Sequence, residues 1–406
     1  MDVIKKLQLQ KNHPDSPYRK LQRHLDKQPV GFPATSSGAE IRILQHIFTP
    51  EQADIATCLT HRPEPLAIVY ARAKNQVPSL QHLEAQLASM LKKGGIEIQR
   101  KKDQILYANA PLIVGMYELQ IDRLTPEFIA NFKTYSADKK FGLSFLGTRL
   151  PQMRTIPIKR SIQSHTQVST FDEINTLLQK AQGPFVILAC ICRKKKALQG
   201  MPCKVTQRKE TCLALGSIAE SVLEMGVGRK ISRKEAMTIM DENQKEGLVL
   251  QPANAKTPNF ICSCCGCCCG MLDIQKSLPV PVNFWASNFQ AVIDPTACIG
   301  CGICNKRCQA DAILIPPLSG KKENQNKNQI AAVDKNRCIG CGVCVPTCPS
   351  NAITLTPRPD KTQPPDTRQE LYEILLASKK DRLARVKLYG KLARDIILTR
   401  DLRLLK

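Results

Sequence analysis

Two stretches of the chain carry cysteine at spacings that suit a metal centre. Residues 298–314 read CIGCGICNKRCQADAIL and residues 338–354 read CIGCGVCVPTCPSNAIT. Nine of the 17 positions are identical at an offset of 40, so one run duplicates the other. Each has the form C-x2-C-x2-C-x3-C. Thiolates in so short a loop converge on a few ångströms, and an all-sulfur set suits iron with inorganic sulfide, or zinc. A pair of zinc knuckles is the alternative, and two complete consecutive runs weigh against it.

On these residues, the segment of roughly 286–357 resembles the two-cluster ferredoxin family. The resemblance implies two [4Fe-4S] clusters, with the fourth cysteine of each run serving the other cluster. One cluster would take Cys298, Cys301, Cys304 and Cys348. The other would take Cys338, Cys341, Cys344 and Cys308. Gly300, Gly302, Gly340 and Gly342 let the backbone bend and turn N–H groups toward the sulfurs. Pro349 follows the last cysteine as the family pattern expects, but Gln309 stands where the first run should have proline. The implied fold is two short hairpins and two short helices around the clusters. The polar insert at 319–329 reads as an exposed loop.

Ten further cysteines lie upstream. Cys190, Cys192, Cys203 and Cys212 form one group along the chain. Cys262, Cys264, Cys265, Cys267, Cys268 and Cys269 form a second, in FICSCCGCCCG. Six thiols within eight residues exceed any packing need, so metal binding is the expected role. The sequence leaves the metal open: one or two further iron–sulfur clusters, or a zinc ion. No histidine lies in these loops. The Cys264–Cys265–Gly266 triplet resembles cysteine-rich domains of heterodisulfide-reductase type, whose full pattern is longer and differently spaced. Seven Lys/Arg lie between Cys190 and Cys212 against one Glu, which would lower thiol pKa values and offset cluster charge.

The elements around these cysteines follow from pattern. Thr170 with Glu173 predicts a capped helix to about Gln182, and FVILA then reads as a strand. A helix is expected over about 211–225, and Ser232 with Glu235 caps another that ends before Gly247. Strand-like LVLQ follows. The middle region is thus a small α+β unit with its cysteines on edge loops.

Upstream, residues 1–38 read as a basic, proline-bearing arm. From 39 the pattern gives EIRILQHIF, a helix capped by Thr49, a third from about Pro65 to Ala73 and a fourth opened by Ser79. The strands IEIQR and ILYAN follow. This order resembles a winged helix domain over roughly 39–110, with RKKD at the wing tip and Lys92, Lys93, Arg100, Lys101 and Lys102 facing phosphates if DNA binds. Against that, the recognition helix offers Gln81, His82, Glu84 and Gln86 and no arginine row. Lone Cys58 reads as core.

The expected organisation is therefore α+β and multidomain. It comprises a basic arm (1–38), a winged-helix-like domain with its connection (39–150) and a Cys-rich metal-binding domain (151–285). A two-cluster ferredoxin domain (286–357) and a linker with a basic amphipathic helix (358–406) complete it. The whole arrangement looks like a group of prokaryotic 4Fe-4S dicluster proteins, a resemblance that implies no particular reaction. The chain has 406 residues, 19 cysteines and a formal charge of +24. It lacks any 18-residue apolar run and an apolar leader, so a cytoplasmic location is expected. An odd cysteine count without an export signal argues against a disulfide framework. Strong positive charge predicts an acidic redox partner, with DNA or an anionic membrane surface as other takers. The stripe Leu383, Val386, Tyr389, Ala393 and Ile397 is expected to pack on the protein itself, with membrane contact as the other option. No GxGxxG, P-loop or C-x3-C-x2-C motif occurs. The leading function is thus single-electron relay, more a component of an oxidoreductase system than a stand-alone enzyme. A cluster-sensing DNA-binding regulator is the alternative, and a reductase subunit the third reading.

Overall fold

The computed structural model describes residues 15–162, 169–315, 330–380 and 382–399. The polar insert at 319–329, the first 14 residues with Lys5, Lys6 and Lys11, and the last seven lie outside them. The protein is mixed α and β.

The presumed arm is partly core. Pro17–Asp26 is a helix with Ser16 at its N-cap, and Leu21 and Leu25 are buried with Phe32. The spacing of those two leucines is the i, i+4 repeat of one helix face. Helices Ala39–Ile47, Pro50–Ala56, Leu66–Ala73 and Leu80–Lys92 follow. The second carries a complete capping box between Thr49 and Gln52. Strand β1 (Glu64–Pro65) joins the hairpin β2 (Ile96–Lys101) and β3 (Gln104–Asn109) in the order β1-β3-β2.

The middle region is built on a five-stranded antiparallel sheet. Its strands are β5 (Phe185–Ala189), β6 (Glu210–Leu215), β7 (Arg229–Ile231), β8 (Val249–Pro252) and β9 (Phe260–Cys264), in the order β7-β5-β6-β9-β8. Alternate side chains divide its two faces. Phe185, Ile187, Leu213, Leu215 and Ile261 pack with residues of helices Ile174–Lys180 and Arg233–Glu246. Val186, Ala214, Phe260 and Cys264 join the main core with Ile218, Ala219 and Val222 of helix Gly216–Glu224. That helix also holds the N-terminal hairpin: the Ile98 backbone N–H donates to Ser221 Oγ (2.9 Å), and the Arg100 N–H to Glu220 (2.7 Å).

Two expected helices differ. Residues 211–225 split into strand β6 and helix Gly216–Glu224, because Leu213 and Leu215 alternate in register with β5 and β9 before the chain turns at Gly216. Thr170 does not cap a helix. A short 3-10 turn (Thr170–Asp172) precedes the helix at Ile174. There the Arg154 guanidinium takes the Phe171 carbonyl (2.5 Å) and Asp172 accepts from Asn288 (2.7 Å), so tertiary bonds override the local cap.

Strand β4 (Arg154–Thr155) pairs in parallel with β10 (Ala286–Ser287). In the C-terminal half, β11 (Phe289–Ile293) pairs with β14 (Ile353–Pro357), and β12 (Ile313–Leu314) with β13 (Ala332–Val333), all antiparallel. Helix Ile303–Arg307 follows the first cysteine loop, and a single 3-10 turn, Val345–Thr347, follows the second. Helices Arg368–Lys380 and Arg382–Thr399 complete the described chain. The apolar stripe of the last helix is not packed as expected: Val386, Tyr389 and Ile397 are exposed, as is Leu383. Among the described residues no helix is long and apolar enough to cross a membrane.

Candidate metal centres

In the C-terminal module the fold groups Cys308 with the second run, while the first three cysteines of the first run stay together. Cys308 lies beside Cys338 and Cys341, and all three bear electrostatically on Cys344. Cys298 and Cys301 lie beside Cys304. The fourth cysteine of each run is seated alike: Cys308 Sγ accepts the Ala312 N–H and Cys348 Sγ the Ala352 N–H, both at 3.3 Å. Cys338 Sγ accepts the Ala291 N–H at 3.3 Å. N–H donors aimed at sulfur stabilise thiolate and bound cluster. Burial pushes the Cys341 thiol up to about 12, and Cys344 also well up, so these thiols favour a bound metal's charge over standing alone. The four glycines all have positive φ, from 63° to 73°. At Gly340 a Cβ would also meet the Phe289 carbonyl at 2.1 Å, so strand β11 can lie directly on the loop only if that side chain is missing.

The ten upstream cysteines regroup across the chain. Neither group of the linear sequence survives as a unit. Cys203 joins Cys265, Cys267 and Cys268, and their four sulfurs lie within 4.8 Å of one another. The Cys203–Cys265, Cys203–Cys267 and Cys267–Cys268 separations are 3.6, 3.7 and 3.6 Å. Four sulfurs about 2.3 Å from one tetrahedral ion stand about 3.8 Å apart. The set therefore fits a single ion, and it is too tight for the corners of a cubane. Burial raises the Cys265 thiol strongly and Cys268 to about 12. Burial acts on Cys267 too, but the Lys204 backbone N–H and neighbouring thiols outweigh it and hold that thiol down. A cation would resolve this crowding of thiols.

The other six, Cys190, Cys192, Cys269, Cys264, Cys262 and Cys212, line one apolar chamber. Electrostatically each acts on two neighbours, in a ring that returns from Cys212 to Cys190. These cysteines are not on edge loops as expected. Cys212, Cys262 and Cys264 sit on one sheet face by strand alternation, with Ala214 and Phe260. Cys190 and Cys269 are the N-caps of helices Ile191–Leu198 and Gly270–Ser277, and Cys192 lies in the first turn of the former. Protons offered by Cys192 and Cys212 hold Cys190 well below the ordinary thiol range. Cys192 and Cys264 do the same for Cys269, and Cys212 and Cys264 bring Cys262 to about 6. A tetrahedral ion takes four thiolates, fewer than the six that line this chamber.

Three side chains that sequence reasoning did not single out complete this region. Arg193 is buried beside both thiol sets. Burial alone would weaken its charge, but Cys190, Cys212, Cys265 and Cys264 outweigh that and keep it cationic. It donates to Thr211 Oγ1 (2.7 Å) and the Ser263 carbonyl (2.8 Å). Of the other basic residues of that stretch, Arg208 pairs with Glu242 and Glu246, and Lys194 with Asp122. Glu118 lies beside Cys262 and Cys269 and is pushed up to about 8 by burial. Tyr117 is buried beside Cys192. Both come from a segment that reads as plain connection. Cys58 is core, as expected.

Gln309, the departure from the family pattern, has a use. Its side-chain carbonyl accepts the Gly266 N–H at 2.7 Å, between Cys265 and Cys267. A Cβ at Gly266 would meet the Gln309 carbonyl at 2.6 Å. The single-ion loop thus touches the ferredoxin-type module one residue from Cys308. Replacing Gln309 with proline should leave the cluster ligands in place but strip that N–H of its acceptor. A loss of about 1–3 kcal/mol is expected in chemical denaturation, and unchanged stability would contradict the bond's role.

Residues 291–355 match the model of a family described as the 4Fe-4S dicluster domain. No curated protein matches the chain.

Proposed function

We propose that this protein relays single electrons through two [4Fe-4S] clusters into a further polynuclear iron–sulfur centre in the middle domain. A single zinc ion braces the loop between them. Thiolate-held clusters gain or lose one electron with little change of shape, which is the chemistry they supply when bound. The chain's own residues then set where and how readily this happens. Cys298, Cys301, Cys304 and Cys348 would hold one cluster, and Cys338, Cys341, Cys344 and Cys308 the other. The six-thiol ring would hold the third centre, and Cys203, Cys265, Cys267 and Cys268 the ion.

The observation that carries this reading is the six thiols gathered on one chamber, distinct from the four whose sulfurs fit a single ion. Packing needs no such gathering, and a structural ion already has its own four sulfurs. The Gly266–Gln309 contact supports continuity from one module to the next. The exposed apolar stripe and basic charge of the last helix support docking of an acidic partner there.

Arg193 gives a direct test. Its buried positive charge favours the more negative, reduced state of a centre beside it. Arg193→Gln should lower the midpoint potential of the middle centre by about 50–100 mV, the one-electron equivalent of ~1–2 kcal/mol. A redox titration followed by EPR reads this, with the two ferredoxin-type clusters as internal controls. An unshifted potential would separate Arg193 from any redox centre.

One observation favours the regulator reading: a three-stranded sheet, β1-β3-β2, accompanies helices Leu66–Ala73 and Leu80–Lys92, in the order a winged helix uses. Against it, the Arg100 side chain is engaged by Glu224 at 2.7 Å, and the hairpin is docked on helix Gly216–Glu224. We therefore favour the hairpin as a brace for the middle domain. Salt-dependent duplex binding that changes with oxidation state would reverse that preference, and its absence at low salt would end the regulator reading.

A further inference from the structure

A cleft of about 380 Å³ reaches one of the six thiols, Cys192. It lies between helix Pro126–Ser136, helix Ile191–Leu198 and the start of helix Gly270–Ser277. At its floor are Tyr117, Glu118 and Cys192. Cys192, Glu118 and Met271 also line the inner apolar chamber of about 80 Å³ where the ring thiols meet, so the two spaces adjoin. The cleft's size is that of a small-molecule site.

Its lining has a definite polarity. Lys133, Lys195 and Lys196 supply positive charge, and among the described residues none of the three makes an ion pair. Two carboxyl groups also line it, Asp273 close to Lys195 and Lys196, and Glu118, which burial keeps largely neutral. Ile129, Phe132 and Ile274 make the wall apolar. The Tyr117 side chain is buried and stacked on Phe132 with ring centroids 3.8 Å apart, which makes the inner wall aromatic.

We propose that this cleft binds a small organic anion with an apolar body. Its carboxylate meets Lys195 and Lys196, and its apolar body lies against Ile129, Phe132 and Ile274. The middle domain then has a ligand face as well as a face toward the ferredoxin-type module. The binding itself stands on the cleft alone; only the nearness of the ligand to a redox centre rests on the function proposed above.

The test uses the full, anaerobically purified chain and three fluorinated probes followed by ¹⁹F NMR. 3-(4-Fluorobenzoyl)propionate carries both the carboxylate and the inner carbonyl. Its amide lacks the charge, and 4-(4-fluorophenyl)butyrate lacks the carbonyl. The oxo acid should bind saturably, and the amide about tenfold or more weakly. K195M/K196M should erase most of that difference. The butyrate should bind about as well as the oxo acid, since both carry the anion and the apolar body that the cleft reads. Absence of saturable binding by both acids, or equal binding of acid and amide, would overturn the proposal. Extra line broadening of the bound probe on reduction would locate it beside the middle centre. Intact binding without that broadening would keep the cleft and count against the redox centre instead.

Discussion

Replacing Cys265 with alanine should cost the protein about one metal ion per chain. The residue supplies one of four sulfurs whose mutual separations fit a single tetrahedral ion. Apparent binding energies of structural zinc sites run to about 10–16 kcal/mol, so losing one of four thiolates is a large change. The zinc content of Cys265→Ala should fall from about one per chain to near zero, and the midpoint of thermal unfolding should fall with it. Iron and labile sulfide should stay, because the ring thiols and the ferredoxin-type cysteines are other residues. Cys58→Ala is the control: it removes a buried thiol from a helical core and should leave all metals in place. If Cys265→Ala instead lost several irons and kept its zinc, the division of the ten thiols into four and six would be wrong.

Cys308→Ala should remove about four of the eight ferredoxin-type irons, and they should be those of the second run. Cys308 belongs to the first run in sequence, but it lies beside Cys338, Cys341 and Cys344. Cys308→Ala and Cys341→Ala should therefore share one EPR spectrum and one surviving potential. Cys348→Ala and Cys301→Ala should share the other. A reduced pair of neighbouring clusters gives a spin-coupled signal, so each variant should show a simpler, uncoupled one. Pairing of Cys308→Ala with Cys301→Ala would contradict the crossed assignment.

These two cases show why some of the site was legible in the sequence and some was not. The ferredoxin-type cysteines could be read because their spacing is local: three ligands per loop are fixed by the loop itself, and a repeat at an offset of 40 exposes the unit. The ring is different. Its members come from β6, β9 and two helix starts, and only the sheet brings them together. One signal was present. Phe260, Cys262 and Cys264 alternate, as residues on one face of a strand must, which separates them from Cys265, Cys267 and Cys268 beyond the strand's end. The helix expected over 211–225 hid the matching position of Cys212. Arg193 looked like one of seven basic residues until burial beside two thiol sets distinguished it. Tyr117 and Glu118 had no motif at all; tertiary packing alone brings them to the ring. The Pro17–Asp26 helix is hard to read from sequence because Pro17 and the basic residues dominate the segment, although Leu21 and Leu25 lie on one face.

Gln309 shows the reverse. As a departure from a pattern it looked like a relaxed turn, and in the fold it is a bond between modules. The exposed stripe of the last helix was legible as a stripe, but its neighbour was not, since a pattern of apolar residues does not say what covers it.

The most direct measurement is a count of iron, acid-labile sulfide and zinc in protein purified without oxygen, followed by EPR during a redox titration. The account predicts about one zinc per chain, iron and sulfide clearly above the eight that two cubanes require, and at least three one-electron steps. A colourless protein without labile sulfide would contradict it entirely. Eight irons with no third redox step would leave the ring of thiols without the centre assigned to it.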